Sequence, residues 1–416
     1  MTLSGNNIVS MKRDNRKAVL SKVRQHGAVS RKFLAESLQL TPAAITKIVG
    51  NLIDDGLLTE GGSVRAEASA GRSQILLQIN SRARAALGVM LNVHRATLSG
   101  VWLDGSLIFC EEVPLESPCD PAETAALLAQ RLRAHIAQCG LDPRAVIGLG
   151  VAARGVISRD RRVLTDSRGV FRGSDIPIAD LFESATGFAV TLENNVRALL
   201  AAQLFLDRES QNECQLFLRC EYGIGAALSI GGEIWSGGGG RCSEIGHIQV
   251  VRRGGLPCVC GKSGCLETIA SPSAMRAEAQ RALSPDRTPL LWEIRQSGRG
   301  ITLTDVLDSA ANGDAGAAYI VDRGVRALGQ ALKSALYIID PQRVVLYGSL
   351  FEHRGFLARL MAEMAQGLDR DHADIPIEKS AYNGLLDPAA AGILSVNRFF
   401  DAGGEPVAAQ SGVRHA

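Results

Sequence analysis

The chain has 416 residues, of which 46% are apolar and 21% are charged, and its formal net charge is +2. This length predicts two or three globular domains, and the absence of an apolar run near eighteen residues excludes an integral membrane protein. The small net charge hides an asymmetry. Residues 1–82 hold 12 Lys and Arg against 6 Asp and Glu, whereas the remaining residues are acidic on balance. A basic first fifth predicts contact with a polyanion.

The first residues show no charged-then-apolar signal pattern, so we expect the protein to be cytoplasmic. The nine cysteines agree with that location. Six of them have no spacing typical of a disulfide framework, and we expect them to be reduced thiols that are mainly buried. These six are Cys110, Cys119, Cys139, Cys214, Cys220 and Cys242.

Three short helices are predicted at the start of the chain. Apolar residues at helical spacing mark the first over residues 12–26, and residues 30–38 form the second. Thr41 and Pro42 open the third helix, because threonine is favoured as an N-cap and proline at the first helical position. Two strands at 57–59 and 75–79 then flank a glycine-rich loop.

Three helices followed by a β-ribbon are typical of a winged helix-turn-helix, here over residues 12–82, whose third helix enters the major groove of DNA. Small side chains suit contact with thymine methyl groups, and a lysine suits phosphate or guanine. The alternative is a protein-docking module whose charges form a solvated face. The residues expected to contact DNA are Ala43, Ala44, Thr46 and Lys47.

From about residue 85 the predicted strands and helices alternate, which indicates an α/β domain over residues 85–400. Residues 401–416 are rich in glycine and alanine, and we expect them to form a disordered tail. The predicted strands are 86–91, 97–103, 106–111, 145–151, 188–192 and 343–347, and the predicted helices are 121–138, 177–186, 195–206, 315–338 and 354–366.

One imidazole and three thiols lie within nineteen residues of this α/β domain. They make the four-ligand donor set of a closed, tetrahedral, structural zinc site, so we predict one zinc ion per chain. Glycines at positions 254, 255, 261 and 264 allow the loop to turn tightly. The alternative is three unrelated buried thiols, but packing does not explain two thiols that flank a single residue. The predicted ligands are His247, Cys258, Cys260 and Cys265.

The same stretch resembles the signature of the ROK family, which comprises repressors, open reading frames and kinases acting on sugars. In that family a Glu-x-Gly-His element precedes a Cys-x-Cys-Gly-x-x-Gly-Cys-x-Glu element, and residues 244–247 and 258–267 match both. The resemblance spans residues 12–396. It implies a two-lobed, actin-like (ribonuclease H-like) sugar-kinase fold for the α/β domain, in which a zinc loop over residues 244–267 shapes the sugar pocket.

The resemblance also implies roles for individual residues. The sugar-contacting Glu, His and Glu of the family correspond here to Glu244, His247 and Glu267, and Asn194 and Asn195 add two amides to this polar set. The histidine would use one ring nitrogen for the metal and present the other to a sugar hydroxyl.

The predicted wing carries a second resemblance. Gly71-Arg72 resembles a Gly-Arg element in the wing of many ROK repressors. An arginine presented by a flexible loop suits a narrow minor groove. Arg72 therefore joins the predicted DNA contacts.

The features that a ROK kinase needs are degenerate. The family's general base is an Asp in a Glu-Asn-Asp element, whereas this chain has Asn195, and an amide does not take a proton from a sugar hydroxyl. Met90 stands at the position of the acid that opens the first phosphate motif. The second phosphate turn reads Glu-Tyr-Gly-Ile-Gly over residues 221–225, so a carboxylate stands beside the expected phosphates. We therefore expect no enzymatic activity.

Taken together, these features predict a DNA-binding regulator that represses a sugar uptake or catabolism operon. We expect a homodimer or homotetramer that binds an inverted repeat in double-stranded DNA. A sugar or sugar-phosphate effector would close the two lobes of each chain and lower the affinity for that DNA. Three alternatives stay open: an ATP-dependent ROK sugar kinase carrying a DNA-binding domain, a regulator switched by a protein partner, and an activator.

Overall fold

The structure, a computed structural model, describes residues 8–64, 74–158, 160 and 162–406. The chain divides into two compact units. The first contains the chain up to Glu209 and the segment from Gly384 onward, and the second contains Ser210–Asn383. No helix in the described ranges has both the length and the apolar character that crossing a membrane requires.

The first unit begins with the winged helix, and its predicted order of three helices and two longer strands is confirmed. A short additional strand, β1, pairs with β3, which in turn pairs with β2, all antiparallel. The elements are α1 (Ile8–His26), β1 (Val29–Ser30), α2 (Arg31–Leu38), α3 (Pro42–Asp54), β2 (Leu58–Val64) and β3 (Gln74–Ile79).

Caps and burial explain why these helices form where they do. The Ser30 hydroxyl accepts a hydrogen bond from the Phe33 amide at 3.2 Å, and the Thr41 hydroxyl accepts one from the Ala44 amide at 3.2 Å. These bonds satisfy amides that the first turn of a helix leaves without a partner. The apolar faces of the three helices meet in one core formed by Val19, Leu20, Val23, Leu34, Ile45, Val49 and Leu52.

The first unit continues with a five-stranded sheet in the order β10-β7-β4-β5-β6. Its first three strands in sequence form an antiparallel meander, and β7 and β10 then add in parallel. The elements are β4 (Ala85–Asn92), β5 (Arg95–Trp102), β6 (Leu107–Pro114), α4 (Pro121–Gln138), β7 (Val146–Ala153), β8 (Val156–Ser158), β9 (Val163–Asp166), α5 (Ile178–Thr186), β10 (Val190–Asn194) and α6 (Asn195–Leu206).

The second unit has a five-stranded sheet of the same topology, β13-β12-β11-β14-β15, with an antiparallel meander followed by two parallel strands. This repetition agrees with the predicted two-lobed body. The elements are β11 (Gln215–Cys220), β12 (Ile224–Ile230), β13 (Glu233–Trp235), α7 (Glu267–Ala270), α8 (Pro272–Arg281), α9 (Pro289–Gln296), α10 (Leu303–Ala311), α11 (Ala315–Ile339), β14 (Arg343–Tyr347), α12 (Ser349–Glu352), α13 (Arg354–Met364), α14 (Arg370–Ala373) and β15 (Ile377–Lys379).

The chain then returns to the first unit as α15 (Leu386–Asp401), a helix that the sequence did not predict. It packs against α6 and against strands β4, β5 and β7. The predicted disordered tail needs correction at its start. Asp401 closes α15, and Gly403 and Gly404 are buried against the winged helix, where the Gly403 carbonyl accepts a hydrogen bond from Arg16 Nε at 2.8 Å. Residues 407–416 lie outside the described residues.

Candidate functional site

The four predicted zinc ligands converge in the second unit. Their donor atoms all lie within 4.8 Å of one another. His247 Nδ1 is 3.5 Å from Cys258 Sγ, and Cys260 Sγ is 3.6 Å from Cys265 Sγ. Tetrahedral zinc with ordinary bond lengths places a nitrogen and a sulfur about 3.6 Å apart and two sulfurs about 3.8 Å apart. The donor set therefore fits one zinc ion.

Backbone hydrogen bonds within the zinc loop hold these ligands in place. The Cys258 amide donates to the Lys262 carbonyl at 2.8 Å, and the Gly261 amide returns a bond to the Cys258 carbonyl at 3.0 Å. Gly261 and Gly264 have φ angles of +85° and +72°, which favour glycine. The tight turn between Cys258 and Cys265 therefore depends on the glycines noted in the sequence.

The pKa values of the three thiols bear on how a metal centre would form, because a metal ion displaces the thiol protons. Burial and the neighbouring thiols raise the pKa of Cys265 to about 12, and burial also raises the pKa of Cys258. Burial is the largest single influence on Cys260 and opposes its ionisation, but the Lys262 amide and charge and the two neighbouring thiols together lower the pKa of that thiol. Because zinc binds thiolates, metal binding would displace these protons and contribute to the stability of the loop.

His247 presents its two ring nitrogens to different partners. Nδ1 faces the thiols, while Nε2 lies 3.4 Å from Glu244 Oε2. A carboxylate on the outer nitrogen is the usual way of fixing the tautomer of a metal-bound histidine. The two predicted sugar-side residues Glu244 and His247 are thus adjacent, and Lys262 Nζ donates to the His247 carbonyl at 2.9 Å.

The third sugar-side residue of this unit, Glu267, begins α7 directly after the zinc loop ligand Cys265 and the buried Leu266. Its Oε2 accepts a hydrogen bond from the Ile224 amide at 3.0 Å. Ile224 belongs to the turn at 221–225, which the ROK resemblance assigns to phosphate. One amide of that turn is therefore bonded to a carboxylate of the same chain.

A second carboxylate, that of Glu221, bonds to a backbone amide near the same turn. Glu221 Oε2 accepts a hydrogen bond from the Ser349 amide at 2.7 Å, at the start of α12. The ROK resemblance assigns residues 221–225 to phosphate and residues 347–349 to the adenosine side of the nucleotide, and we refer to both together as the phosphate-type turns. Free amides at such turns attract anions. Here Glu221 and Glu267 supply the negative charge from within the chain.

The predicted amides Asn194 and Asn195 lie in the first unit, at the junction of β10 and α6. Asn194 has a structural role: its side-chain oxygen caps α6 by accepting from the amides of Val196 and Arg197, and its Nδ2 donates to the Gly155 carbonyl at 2.9 Å. The contact of this amide with a sugar stays a prediction. Asn195 is 4% exposed.

Asn195 stands at the position of the kinase base, and its Nδ2 donates to Asn92 Oδ1 at 3.2 Å. Asn92 ends β4, two residues after Met90, which is buried between Thr97 and Ala152 on the neighbouring strands. An amide paired with an amide has no group that titrates near neutral pH. This amide pair can donate and accept hydrogen bonds but cannot remove a proton.

The candidate DNA interface is the outer face of α3. Ala43, Thr46 and Lys47 are exposed and Ala44 is half-buried. The Thr46 hydroxyl bonds to the Pro42 carbonyl at 2.8 Å within the helix. Within the ranges that the structure describes, no carboxylate pairs with Lys47. Arg72, the predicted wing contact, lies outside the described residues.

The sequence is similar to those of known protein families and characterised regulators. A model of the ROK family matches residues 89–389. The chain belongs to the ROK family. The transcriptional dual regulator NagC of Escherichia coli K12 is 29% identical over 352 residues, which cover 83% of this chain and 83% of NagC. The xylose repressor of Bacillus spizizenii is 24% identical and covers 82% of this chain and 84% of the repressor.

A solved structure confirms the predicted fold class. The crystal structure of a ROK family transcriptional regulator, a homologue of the E. coli MLC protein, superposes with a TM-score of 0.77 at 24% identity. The match covers 95% of this chain and 98% of that regulator. The shared fold therefore extends over the winged helix as well as the ROK body.

Proposed function

We propose that this protein is a DNA-binding transcriptional repressor whose ROK body binds a sugar or a sugar derivative without phosphorylating it. One observation carries the proposal. A winged helix with an exposed, lysine-bearing third helix is joined to a ROK body that has Asn195 where a kinase needs a base. The similarities to NagC and to the xylose repressor, each over more than 80% of this chain, support the same function.

The DNA-binding half rests on α3. Its N-terminal turn presents Ala43, Ala44 and Thr46, which are short enough to let the helix approach base edges, and Lys47 adds a positive charge. Arg72 would reach the minor groove from the wing. Because one winged helix reads a short half-site, we propose a homodimer or homotetramer on an inverted repeat.

The ligand-binding half rests on polar groups that can bind hydroxyls. We propose that Glu244 and Glu267 contact the sugar and that His247 shares Nε2 between Glu244 and a sugar hydroxyl. Asn195 adds an amide, while Asn194 positions α6. Zinc on the His247 and cysteine set would be structural: it would fix the imidazole and the loop that carries both glutamates. At position 195, where ROK kinases have Asp, the Asn of this chain can still form a hydrogen bond with a sugar hydroxyl but cannot act as the general base.

The lack of turnover has a second basis in the phosphate-type turns. Glu221 and Glu267 accept hydrogen bonds from the amides of Ser349 and Ile224, which a nucleotide phosphate would otherwise use. A bound phosphate would displace these carboxylates or meet their negative charge at close range. ATP binding at these turns is therefore disfavoured.

A continuous set of contacts within the first unit suggests how a bound ligand affects DNA binding. Asn195 begins α6, α6 packs along α15, and the segment after α15 buries Gly403 and Gly404 against the winged helix. Lys17 and Asp401 form an ion pair at 2.8 Å beside this contact. A shift of α6 on ligand binding would thus be passed to α1. Ligands change DNA affinity only by their differential affinity for the two states, commonly about 1–3 kcal/mol.

The proposal is tested by selecting genomic DNA fragments with the purified full-length protein at physiological salt. We expect enrichment of a few intergenic fragments that share an inverted repeat, beside genes for sugar uptake or catabolism. Sequence-blind binding that disappears with modest added salt would contradict it, because such binding reflects phosphate contacts alone.

A further inference from the structure

A cavity of about 240 Å³ lies within the first unit, where the winged helix meets the ROK body. The winged helix contributes the end of α1 and the end of β3, and the body contributes the turn after β5 and the end of α6. This volume is that of about eight water molecules. It admits a small metabolite.

Two arginines from different parts of the unit line the cavity, Arg24 on α1 and Arg208 after α6. Arg24 lies over the Phe205 ring, 4.6 Å from its centroid, and its Nη1 donates to Asn397 Oδ1 at 3.3 Å. Burial lowers the pKa of Arg24, the charge of Arg208 lowers it further, and Asp401 acts in the opposite direction. Both guanidinium groups therefore bring positive charge to the same cavity.

Arg208 has few contacts of its own. Its Nη1 lies near the end of α1, 3.3 Å from where a Cβ on Gly27 would stand. Of the carboxylates in the described part of the chain, none forms an ion pair with it. The one acid that lines the cavity, Asp104, already accepts hydrogen bonds from the amide and hydroxyl of Ser106. The cavity thus holds two cations against one anion that is bonded elsewhere.

We propose that this junction cavity binds a small organic anion whose phosphate or carboxylate lies between Arg24 and Arg208. Planar guanidinium groups match the oxygen atoms of such groups in pairs of parallel hydrogen bonds. The carbon part of the ligand would rest on the apolar wall formed by Phe205 and Leu103. A bound anion would balance the charge of both arginines.

The position of the cavity gives the anion a second role. Because its walls come from the winged helix and from the ROK body, an anion bridging Arg24 and Arg208 holds the two together in one arrangement. The ligand would then act on DNA affinity from a place other than the sugar-side residues. This consequence rests on the proposed function, whereas binding of the anion does not.

Tryptophan fluorescence of the full-length protein tests the binding. Replacing Trp235 and Trp292 by Phe leaves Trp102, which precedes the cavity residue Leu103 and stacks with Arg82 at 4.9 Å. Glycerol 3-phosphate, glycerate, inorganic phosphate and glycerol are titrated at constant ionic strength maintained with chloride. We expect a saturable change with glycerol 3-phosphate or glycerate, a weaker one with inorganic phosphate and none with glycerol. The tighter of the first two identifies the ligand as a phosphate ester or a carboxylate.

Variants at Arg208 decide whether the cavity is the site. Arg208 is exposed, so Arg208→Ala should fold, and we expect the affinity for the anion to fall at least about tenfold, the effect of losing charged hydrogen bonds. Arg208→Lys should give an intermediate affinity. The matched control is Arg144→Ala, at an exposed arginine that does not line the cavity. Equal affinity in Arg208→Ala and wild type, equal responses to glycerol and the anions, or responses that chloride alone reproduces (an adventitious ion only) would each overturn the proposal.

Discussion

The zinc loop and the phosphate-type turns lie in the same unit and are both built from short glycine-containing turns, but they differ in what completes them. In the zinc loop four side-chain donors converge within 4.8 Å, and a metal ion would balance the negative charge of three thiolates there. In the phosphate-type turns the amides of Ile224 and Ser349 already bond to Glu267 and Glu221. The zinc loop is arranged to bind an external cation, whereas the phosphate-type turns are completed by carboxylates of the chain itself.

This difference distinguishes the features of a kinase fold that serve sugar binding from those that serve phosphoryl transfer. A metal-centred loop can go on shaping a sugar pocket without catalysis, because binding requires only fixed donors and acceptors. Phosphoryl transfer requires free anion-binding amides and a base in addition. We propose that the chain keeps the sugar-binding features and lacks the catalytic ones, which is the combination expected of a sugar-responsive regulator.

The largest expected effect comes from breaking the zinc loop. Cys260→Ser should lower zinc affinity more than about 100-fold, because even residues that merely support a metal ligand contribute about 10–100-fold. Zinc content measured by mass spectrometry should fall from one ion per chain, and the thermal unfolding midpoint should fall with it.

Cys242→Ser is the matched control, because this half-buried thiol faces the Ser243 hydroxyl and lies outside the donor set. It should keep both the zinc and the unfolding midpoint. Retention of wild-type stability after complete zinc removal would contradict a structural role for the metal and would erase the contrast between the two regions.

The next largest effect concerns the contact between the segment after α15 and the winged helix, which needs no bound ion. Gly404 has a φ of +79°, and a Cβ at this position would lie 2.5 Å from Leu57 Cδ1. Gly404→Ala should cost about 1–3 kcal/mol of stability in chemical denaturation, the range for overpacking a filled core. Gly140→Ala is the control, since Gly140 also has a positive φ but has open space around it. Equal costs for both variants would show that φ strain, not packing against Leu57, is responsible.

A smaller effect is expected at the phosphate-type turns. Glu221→Thr frees the Ser349 amide and removes a negative charge, so ADP should bind the variant at least about tenfold more tightly than wild type, a difference of about 1.4 kcal/mol. Thermal shift with ADP measures this difference. Glu233→Thr, at an exposed residue of β13, should behave as wild type. Comparable ADP affinity in wild type and Glu221→Thr would mean that Glu221 does not occupy an anion position.

The smallest expected effect concerns Lys47 on α3. Lys47→Ala should reduce the slope of log affinity against log salt by about 1, because one phosphate contact and its released counterion are lost. Electrophoretic mobility shifts on a selected fragment at several salt concentrations give this slope. Lys379→Ala, on β15 and paired with Glu352, is the control. An unchanged slope in Lys47→Ala would remove this lysine from the interface.

The sequence predicts best where the interacting residues are neighbours in the chain. The zinc ligands lie within nineteen residues, and α6 begins where its cap, Asn194, stands. The carboxylates of Glu221 and Glu267 are 128 and 43 positions along the chain from the backbone amides that donate hydrogen bonds to them, so no local sequence pattern reveals those bonds.

Helix α15 was missed for a different physical reason. Eleven of its sixteen residues are buried, and its charged and amide side chains stand only near its two ends, so the middle of its sequence does not alternate between polar and apolar positions as a surface helix does. The glycines that follow have the composition of a disordered tail. Gly403 and Gly404 are instead needed where the chain meets Arg16 and Leu57 too closely for larger side chains.

The most direct test of the account measures release of a selected DNA fragment by a panel of sugars, with and without ATP, while the sugars are analysed for phosphorylation. The account predicts that one sugar or sugar phosphate releases the DNA without ATP and is recovered unchanged. Release that requires ATP, together with formation of a new sugar phosphate, would contradict it and would identify the protein as a working kinase.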